Sequence, residues 1–263
     1  MSIPHDYYLK FISNEVLDDT LIYHNKGNFV IHKATQHFST LHHIPNKELE
    51  QLTGNELKLN ISQSTSSCQN LSLPVLPVEH HLRRNDSCAK FDNGPLDFCK
   101  VQALLAPLLK KENCGYNRGY PSGGALYPVE VFCCNLNNQV NHWPTDSNCL
   151  HLLPSSRKFE NYSPEINIHE LQKSLIPEPF DLGTPSIALI YCIYLPKAIF
   201  KYRYRGYRLA HMEAGSMYML VDLRCKELRL ESRLWSGFSD HELAQRLNLN
   251  PTLFLPACIQ FIG

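Results

Sequence analysis

The chain has 263 residues, of which 43% are hydrophobic and 19% are charged, so it is long enough to bury one sizeable core. Its 25 basic residues balance its 25 acidic residues, which argues against a broad basic surface for nucleic acid. The longest apolar run, Ile187 to Leu195, is shorter than a membrane span, and the N terminus lacks the features of a secretory signal. We therefore expect a cytoplasmic protein without membrane contact.

The ten cysteines are dispersed along the chain, and neither a CxxC nor an HxxxH spacing occurs. In a reducing compartment, dispersed cysteines are more often small buried thiols than disulfides or metal ligands. We therefore predict no disulfide framework and no metal site.

The first part of the chain, residues 1–75, is predicted to be an N-terminal extension that precedes the main domain, residues 76–263. The boundary is placed where the polar stretch Ser62 to Ser72 gives way to the rigid LPVLPV segment, Leu73 to Val78. Two short elements are predicted within the extension, a strand at Phe29 to His32 and a helix at Lys47 to Leu52.

The main domain opens with a predicted amphipathic helix from Leu96 to Leu109, whose last turn is broken by Pro107. Three later segments are rich in β-branched and aromatic residues and are predicted to be buried strands. They are Val129 to Leu136, Ser186 to Leu195, and Leu255 to Ile262.

A second helix is predicted from His211 to Leu228, because apolar and small residues fall on one face: Met212, Gly215, Met219, Leu220 and Leu223. On this face, Gly215 and Ser216 allow a close neighbour. A third helix begins after Ser239, which forms a capping box with Glu242. The irregular alternation of helices and strands indicates a mixed α/β or α+β class.

The segment PSGGALYP, Pro121 to Pro128, places two adjacent glycines directly before a predicted strand. Gly123 and Gly124 lack Cβ atoms, so the backbone there can approach a planar or phosphorylated ligand, and Ser122 adds a hydroxyl. A tight surface turn is the alternative interpretation, because a glycine pair before a strand is common.

The segment KYRYRGYR, Lys201 to Arg208, holds one lysine, three arginines and three tyrosines shortly after a predicted buried strand. Such a density of donors suits an anionic cofactor or a residue that must exchange a proton. A solvated loop with aromatic anchors is the alternative, although loops that follow strands often carry functional sites.

Three segments in order carry a family resemblance: PSGGALYPVEVF at Pro121 to Phe132, KYRYRGYRLAHMEAGSMY at Lys201 to Tyr218, and WSGF at Trp235 to Phe238. Together they resemble the FMN-dependent azoline dehydrogenases of the nitroreductase-like superfamily, and three ordered motifs are far more specific than one. The resemblance implies an α+β fold, with a central, mostly antiparallel sheet flanked by helices. It also implies a homodimer that binds FMN at the subunit interface.

The resemblance assigns roles to particular residues. It matches the proposed catalytic Lys-Tyr pair of the family to Lys201 and Tyr202. The segments that it places beside the flavin are Ser122, Gly123 and Gly124 and the later turn of Trp235, Ser236 and Gly237.

One departure from the family pattern concerns the phosphate of FMN. Many relatives open the flavin domain with an Arg-Arg-Ser-x-Arg-x-Phe pattern, whereas the nearest stretch here, RRNDSCAKF, differs in spacing by two residues. Arg83, Arg84 and Lys90 are therefore candidates for the phosphate site, with a solvated basic loop as the alternative. Arg205 and Arg208 compete for the same role.

The implied activity is the oxidation of thiazoline and oxazoline rings in a ribosomally made precursor peptide to thiazoles and oxazoles. Lys201 or Tyr202 would take the proton on the carbon next to the ring C=N, and FMN would accept the hydride. Another enzyme must first form the ring, so cyclodehydratase subunits of the same synthetase are the expected partners. The N-terminal extension is the candidate docking surface.

Two other functions stay open. An NAD(P)H-dependent nitro or quinone reductase would use the same FMN pocket without needing a Lys-Tyr pair, and NADH consumption would identify it. A flavin-free scaffold subunit of a synthetase would be a binding module, and a colourless protein would identify it.

Overall fold

The computed structural model describes residues 5–29, 45, 47–48, 74–92, 94–112, 115, 117–162 and 166–263. The chain divides into two compact units, one formed by Met1–Phe29 with Arg84–Gly263 and the other by Val30–Arg83. The first unit carries the helices and strands considered below. The predicted strand at Phe29 to His32 and the predicted helix at Lys47 to Leu52 lie mainly outside the described residues.

Within the described ranges, the helices are α1 (Asn14–Gly27), α2 (Phe98–Leu105), α3 (Ile168–Leu175), α4 (Leu195–Tyr202), α5 (Tyr204–Leu228) and α6 (Asp240–Arg246). The strands are β1 (Leu96–Asp97), β2 (Val129–Asn135), β3 (Val140–Asn141), β4 (Cys149–Leu153), β5 (Lys158–Asn161), β6 (Ile187–Tyr194), β7 (Ser232–Trp235) and β8 (Phe254–Ile262). Short 3-10 helices span His5–Phe11, Ala106–Leu108 and Gly123–Ala125. None of the helices in these ranges combines the length and the apolar character that a membrane crossing needs.

Six of the described strands form one sheet in the order β5-β4-β2-β6-β8-β7, and every neighbouring pair is antiparallel. β1 and β3 form a separate parallel pair. The three strands predicted from composition are present as β2, β6 and β8, each within one residue of its expected ends. The implied α+β fold, with a central antiparallel sheet and flanking helices, is confirmed.

Strand β6 lies in the middle of the sheet, and all eight of its residues are buried. On one face, Leu189 belongs to a core cluster that includes Met217 of α5. On the other face, Ile190 belongs to a second cluster that includes Leu243 of α6. Because helices cover both faces, the strand has the continuous apolar sequence IALIYCIY rather than an alternating one.

The helix predicted from Leu96 to Leu109 is present in shorter form as α2. It begins one residue after Asp97, whose side chain accepts a hydrogen bond from the N–H of Cys99 and so caps the helix. Pro107 lies in the 3-10 turn that follows α2, so the predicted break of the last turn is confirmed.

The helix predicted from His211 is present as α5, but it begins earlier, at Tyr204. Two residues of its predicted apolar face are exposed, Met212 by 69% and Gly215, whereas the other three, Met219, Leu220 and Leu223, are half-buried. The residues that α5 buries against the sheet lie on other faces and are mostly small or apolar: Gly206, Ala210, Glu213, Ala214, Met217, Val221, Asp222 and Cys225.

The predicted capping box at the start of α6 is wrong. Ser239 occupies the N-cap position, but its side chain makes no capping hydrogen bond. The start of α6 is held instead by Asp240, whose carboxylate accepts a hydrogen bond of 2.9 Å from the N–H of Phe29. This contact ties α6 to the segment that follows α1.

His151 on β4 joins three strands through two ion pairs. Its Nε2 lies 3.1 Å from Glu130 Oε2 on β2, and its Nδ1 lies 3.0 Å from Glu160 Oε2 on β5. Burial disfavours the protonated ring, but the hydrogen bonds and charges of the two glutamates outweigh it and raise the pKa of His151. The protonated ring therefore stabilises the pairing of these strands.

Replacing His151 with Gln should destabilise the protein more in mild acid than in base. Because the pKa of His151 is raised on folding, its stabilisation is fully present below the unfolded value of about 6.5 and is lost as the pH rises through the folded value. We expect the loss in free energy of unfolding, measured with urea, to be about 1 kcal/mol larger at about pH 6 than at about pH 9. The exposed His169→Gln is the matched control, and equal losses for His151→Gln at both pH values would contradict the prediction.

Candidate active site

The segment Pro121–Pro128, called here the glycine loop, leads into β2 and has an unusual backbone. Gly124, Ala125 and Tyr127 have φ angles of +65°, +54° and +50°, in the left-handed region that non-glycine residues rarely adopt. The loop is closed by a hydrogen bond of 2.8 Å, in which the N–H of Tyr127 donates to Ser122 Oγ. The loop is therefore a tight turn with a defined internal geometry.

Lys201 and Tyr202 form the last turn of α4, which starts directly after β6. A single residue, Arg203, with φ of +47° and ψ of −136°, separates α4 from α5. The KYRYRGYR segment is thus helical apart from this break, and its interpretation as a solvated loop is wrong. The break changes the chain direction between a short helix that carries the Lys-Tyr pair and the long helix α5.

The structure brings the glycine loop and the Lys-Tyr pair together. β2 and β6 are antiparallel, with Val129 opposite Ile193, so the start of β2 and the end of β6 meet at one edge of the sheet. A Cβ atom placed on Gly124 would lie 2.5 Å from Tyr202 Oη and 3.2 Å from Lys201 Nζ. Two polar groups from neighbouring residues, each at least 77 positions after Gly124 in sequence, thus lie against this glycine.

Residues of α5 contact the glycine loop and the first residue of β2. A Cβ atom on Gly123 would lie 2.9 Å from Leu209 Cδ1, so the loop packs directly on this side chain. On α5, the buried Glu213 accepts a hydrogen bond of 3.2 Å from the N–H of Val129 through Oε1. The sequence analysis did not identify either residue as part of the site. An acidic residue on the same helix face as Ala210, Ala214 and Met217 is the signal that could have revealed Glu213.

Arg118 holds the chain that enters the glycine loop. Its backbone N–H donates to Tyr127 Oη at 3.1 Å, and its Nη1 donates to Tyr120 Oη at 2.8 Å. The guanidinium also lies 4.3 Å from the centre of the Tyr127 ring, at cation–π distance. These contacts fix Tyr127, one of the residues with positive φ, from outside the loop.

The Trp235–Gly237 turn, which the resemblance places near the flavin, does not lie beside the glycine loop of the same chain. It follows β7, which is an edge strand of the sheet. Trp235 ends β7, and its Nε1 donates to the carbonyl of Leu175 at 2.9 Å while its ring contacts Phe180. Ser236 is exposed, and a Cβ atom on Gly237 would lie 2.9 Å from the Trp235 ring. The Trp235–Gly237 turn is therefore a packed feature in its own right.

Within the first unit, Arg84 and Lys90 of the RRNDSCAKF stretch are not brought to the glycine loop. Arg84 forms an ion pair of 2.7 Å with Asp222 near the far end of α5, and Lys90 forms one of 2.5 Å with Asp181. Asp222 is 18 residues after Tyr204, which corresponds to about 27 Å along the helix. Arg83 belongs to the other unit, where its Nη1 donates to the carbonyl of Leu76 at 3.1 Å.

Arg205 and Arg208 lie on the first turns of α5, much closer in sequence to the Lys-Tyr pair. Both are exposed. Arg208 also lines a cavity of about 460 Å³ between α1 and α5, together with Tyr204, Tyr207 and His211. Of the basic residues considered for the phosphate site, Arg205 and Arg208 lie on α5, the helix that follows the Lys-Tyr pair after one residue.

Comparisons of sequence give two informative relatives, and no family model matches the chain. The chain is 35% identical over 255 residues to the microcin B17-processing protein McbC of Escherichia coli, covering 95% of this chain and 90% of that protein. It is 27% identical over 195 residues to a protein of Methanocaldococcus jannaschii named as a nitroreductase, covering 73% and 96% of the two chains.

Comparisons of structure agree. The fold is similar to a chain of the E. coli microcin synthetase McbBCD complex with truncated pro-MccB17 bound, with a TM-score of 0.83, 32% identity, and coverage of 100% of this chain and 97% of that one. A protein of Ralstonia eutropha described as a nitroreductase matches with a TM-score of 0.58 and 16% identity, over 72% of this chain and 82% of that one. The second match establishes the nitroreductase-like fold alone.

Adding one methyl group at Gly124 should disturb the site, whereas the same change at Gly27, the last residue of α1, should not. Gly124→Ala forces a Cβ atom against Tyr202 Oη and onto a residue with positive φ, which should cost about 1–3 kcal/mol in free energy of unfolding. Gly27→Ala meets no atom within 4 Å and should leave that free energy unchanged or raise it by up to about 1 kcal/mol. Urea denaturation of both variants measures the difference, and equal stabilities would show that Gly124 is not closely packed.

Proposed function

This chain belongs to the family of the microcin B17-processing protein McbC and is an oxidoreductase of the nitroreductase-like class, and from this premise we propose that it is an FMN-dependent azoline dehydrogenase. Its reaction oxidises thiazoline and oxazoline rings in a ribosomally made precursor peptide to thiazoles and oxazoles. The observation that carries the proposal is the placement of Lys201 Nζ and Tyr202 Oη against Gly124. A proton-exchanging pair beside a Cβ-free surface is what such an oxidation requires.

The glycine loop fits a planar cofactor. Gly123 and Gly124 present backbone without Cβ atoms, and Ser122 lies half-buried beside them. Arg205 and Arg208 are exposed cations on the neighbouring helix and suit a phosphate group. When bound, FMN supplies the two-electron acceptor for the hydride.

The proton step belongs to the chain itself. The carbon next to the ring C=N is acidified by that bond and by the neighbouring carbonyl, so a modest base is sufficient to remove its proton. The neutral amine of Lys201 or the phenolate of Tyr202 would accept this proton, since their terminal atoms lie at the same glycine. Gly124 leaves room at this place that any larger residue would fill.

We propose a homodimer for two reasons. The exposed face of α5, with Met212, Gly215 and Ser216, offers apolar and small residues to a close neighbour. In addition, the Trp235–Gly237 turn and Arg84 lie away from the glycine loop within one chain. In a homodimer, the glycine loop of one copy and these residues of the other copy can line the same site.

The expected partners are cyclodehydratase subunits and the precursor peptide. The similar E. coli chain occurs in a synthetase complex with a truncated pro-peptide bound, which supports this assignment for the present chain. The N-terminal extension remains the candidate docking surface. In its described part, Phe11, Ile22 and Tyr23 are 59%, 55% and 69% exposed, which is typical of a surface that a partner covers.

Loss of the Lys-Tyr pair should stop ring oxidation without removing the cofactor. Lys201→Ala and Tyr202→Phe should retain an oxidised-flavin spectrum and FMN by mass, while turnover of a synthetic thiazoline peptide falls at least about 100-fold. Turnover is measured by mass spectrometry as the loss of two hydrogens. Lys100→Ala, an exposed lysine on α2, is the matched control and should keep full activity.

Other outcomes would identify the competing functions. Unchanged turnover in Lys201→Ala and Tyr202→Phe would exclude both residues from the mechanism. Rapid NADH consumption with a nitro compound, and none of the azoline reaction, would identify a nitroreductase. A colourless protein that also fails to take up added FMN would identify a scaffold subunit.

A further inference from the structure

A buried carboxyl group lies beneath the glycine loop and has no role in the proton step described above. Glu213 on α5 is 2% exposed, and its Oε1 accepts the N–H of Val129, the first residue of β2. Its Oε2 makes no hydrogen bond of good geometry among the described residues, although the Ser122 hydroxyl interacts with the same carboxyl group. An isolated carboxylate oxygen in such a place is costly, whereas a protonated one is not.

The two ends of the glycine loop both meet Glu213. Val129 follows the last residue of the loop, and the hydroxyl of Ser122, near its start, acts on the same carboxyl group. Ser122 Oγ already accepts the N–H of Tyr127 and keeps a second lone pair for a donor. A neutral Glu213 can thus accept from Val129 and donate to Ser122, which leaves no oxygen unsatisfied.

The glycine loop needs such support. Ala125 and Tyr127 have left-handed φ angles, each of which costs about 1–2 kcal/mol and persists only where the surroundings impose it. Arg118 holds Tyr127 from one side, and Glu213 is the buried group on the other. Without that support, Gly124 would not be kept against Lys201 and Tyr202.

We infer that Glu213 is a positioning residue for the proposed site: it holds both ends of the glycine loop beside the Lys-Tyr pair, and in its buried place it holds them more tightly when neutral than when ionised. The inference rests on the proposed role of Lys201 and Tyr202. Glu213 itself does not touch the reacting atoms.

The carboxyl group of Glu213 changes its ionisation state near neutral pH. Burial raises its pKa to about 7, although the nearby Ser122 hydroxyl, the N–H of Val129 and the charges of Arg118 and Lys197 favour the ionised form. When the loop opens, water reaches the carboxyl and its pKa returns towards the ordinary value. Closing the loop therefore takes up a proton between the ordinary pKa of 4.5 and the raised value of about 7, so closure weakens by up to about tenfold per pH unit in that range and is independent of pH above about 7.

Other titratable and charged groups face Glu213 from each element packed on it. Arg118 and Tyr120 come from the segment before the loop, and Lys197 comes from α4. Lys197 is itself paired with Glu130 of β2 at 3.8 Å. A pH effect on the loop could in principle arise from any of these groups, so the experiment must remove Glu213 specifically.

Hydrogen exchange of the Tyr127 and Val129 amides tests the inference without substrate or cofactor. In the wild-type protein, protection corrected for the intrinsic rate should fall by up to about tenfold per unit between about pH 5 and pH 7 and be constant above about pH 7. Glu213→Gln keeps an acceptor for Val129 and a donor for Ser122, so its protection should be high and independent of pH. Glu213→Ala should lose protection at every pH.

Turnover of a thiazoline peptide gives the second readout. In the wild type, kcat should fall as the pH rises from about 5 to about 7 with little change in KM, and Glu213→Gln should abolish this inflection. An inflection in exchange that persists in Glu213→Gln would assign it to another group, such as Lys197, and overturn the inference. pH-independent exchange in the wild type would also overturn it.

The two proposals fail in different ways. If Lys201→Ala keeps full turnover, the assignment of the Lys-Tyr pair fails, whatever the exchange data show. If hydrogen exchange of the Tyr127 and Val129 amides is the same in the wild type and in the Glu213 variants, the positioning role fails even when the chain oxidises azolines. Should Glu213→Ala not fold, Glu213→Gln alone still decides the question.

Discussion

The burial of β6 on both faces is the constraint on which the rest of the structure depends. With helices packed against each side, the strand has no solvent-facing register, and its neighbours must supply apolar residues in two layers. Because β2 pairs with it in antiparallel fashion, the chain enters β2 at the same edge where it leaves β6. The glycine loop and α4 are therefore adjacent for reasons of topology, before any side chain takes part in the chemistry.

Much of the fold could be predicted from the sequence, because it depends on local composition. The apolar run of β6 and the breaking effect of Pro107 each act within a few residues. The three ordered motifs also identified the Lys-Tyr pair and the glycine loop as parts of one site, although only through resemblance. Their contact depends on chain segments far apart in sequence, which periodicity cannot measure.

Other features could not be predicted because their causes are long-range. Arg84 was a phosphate candidate on its position in a motif, yet its partner Asp222 lies 138 residues away on α5. The exposed face of α5 carries Met212, which local pattern alone does not distinguish from a core residue. Glu213 is unusual only once its burial is known, since a glutamate on a helix is ordinarily solvated.

The continuity of α5 has a consequence for how this protein responds to its surroundings. The helix runs unbroken from Tyr204 to Leu228, with Glu213 on its inner side and Gly215 on its outer side, little more than half a turn apart. A rigid helix of this kind moves as one body, so a displacement of about an ångström imposed on the outer side is carried to the carboxyl on the inner side. If the proposed second copy binds on the outer side, its association is energetically coupled to the position of Glu213, and each changes the other by the same free energy.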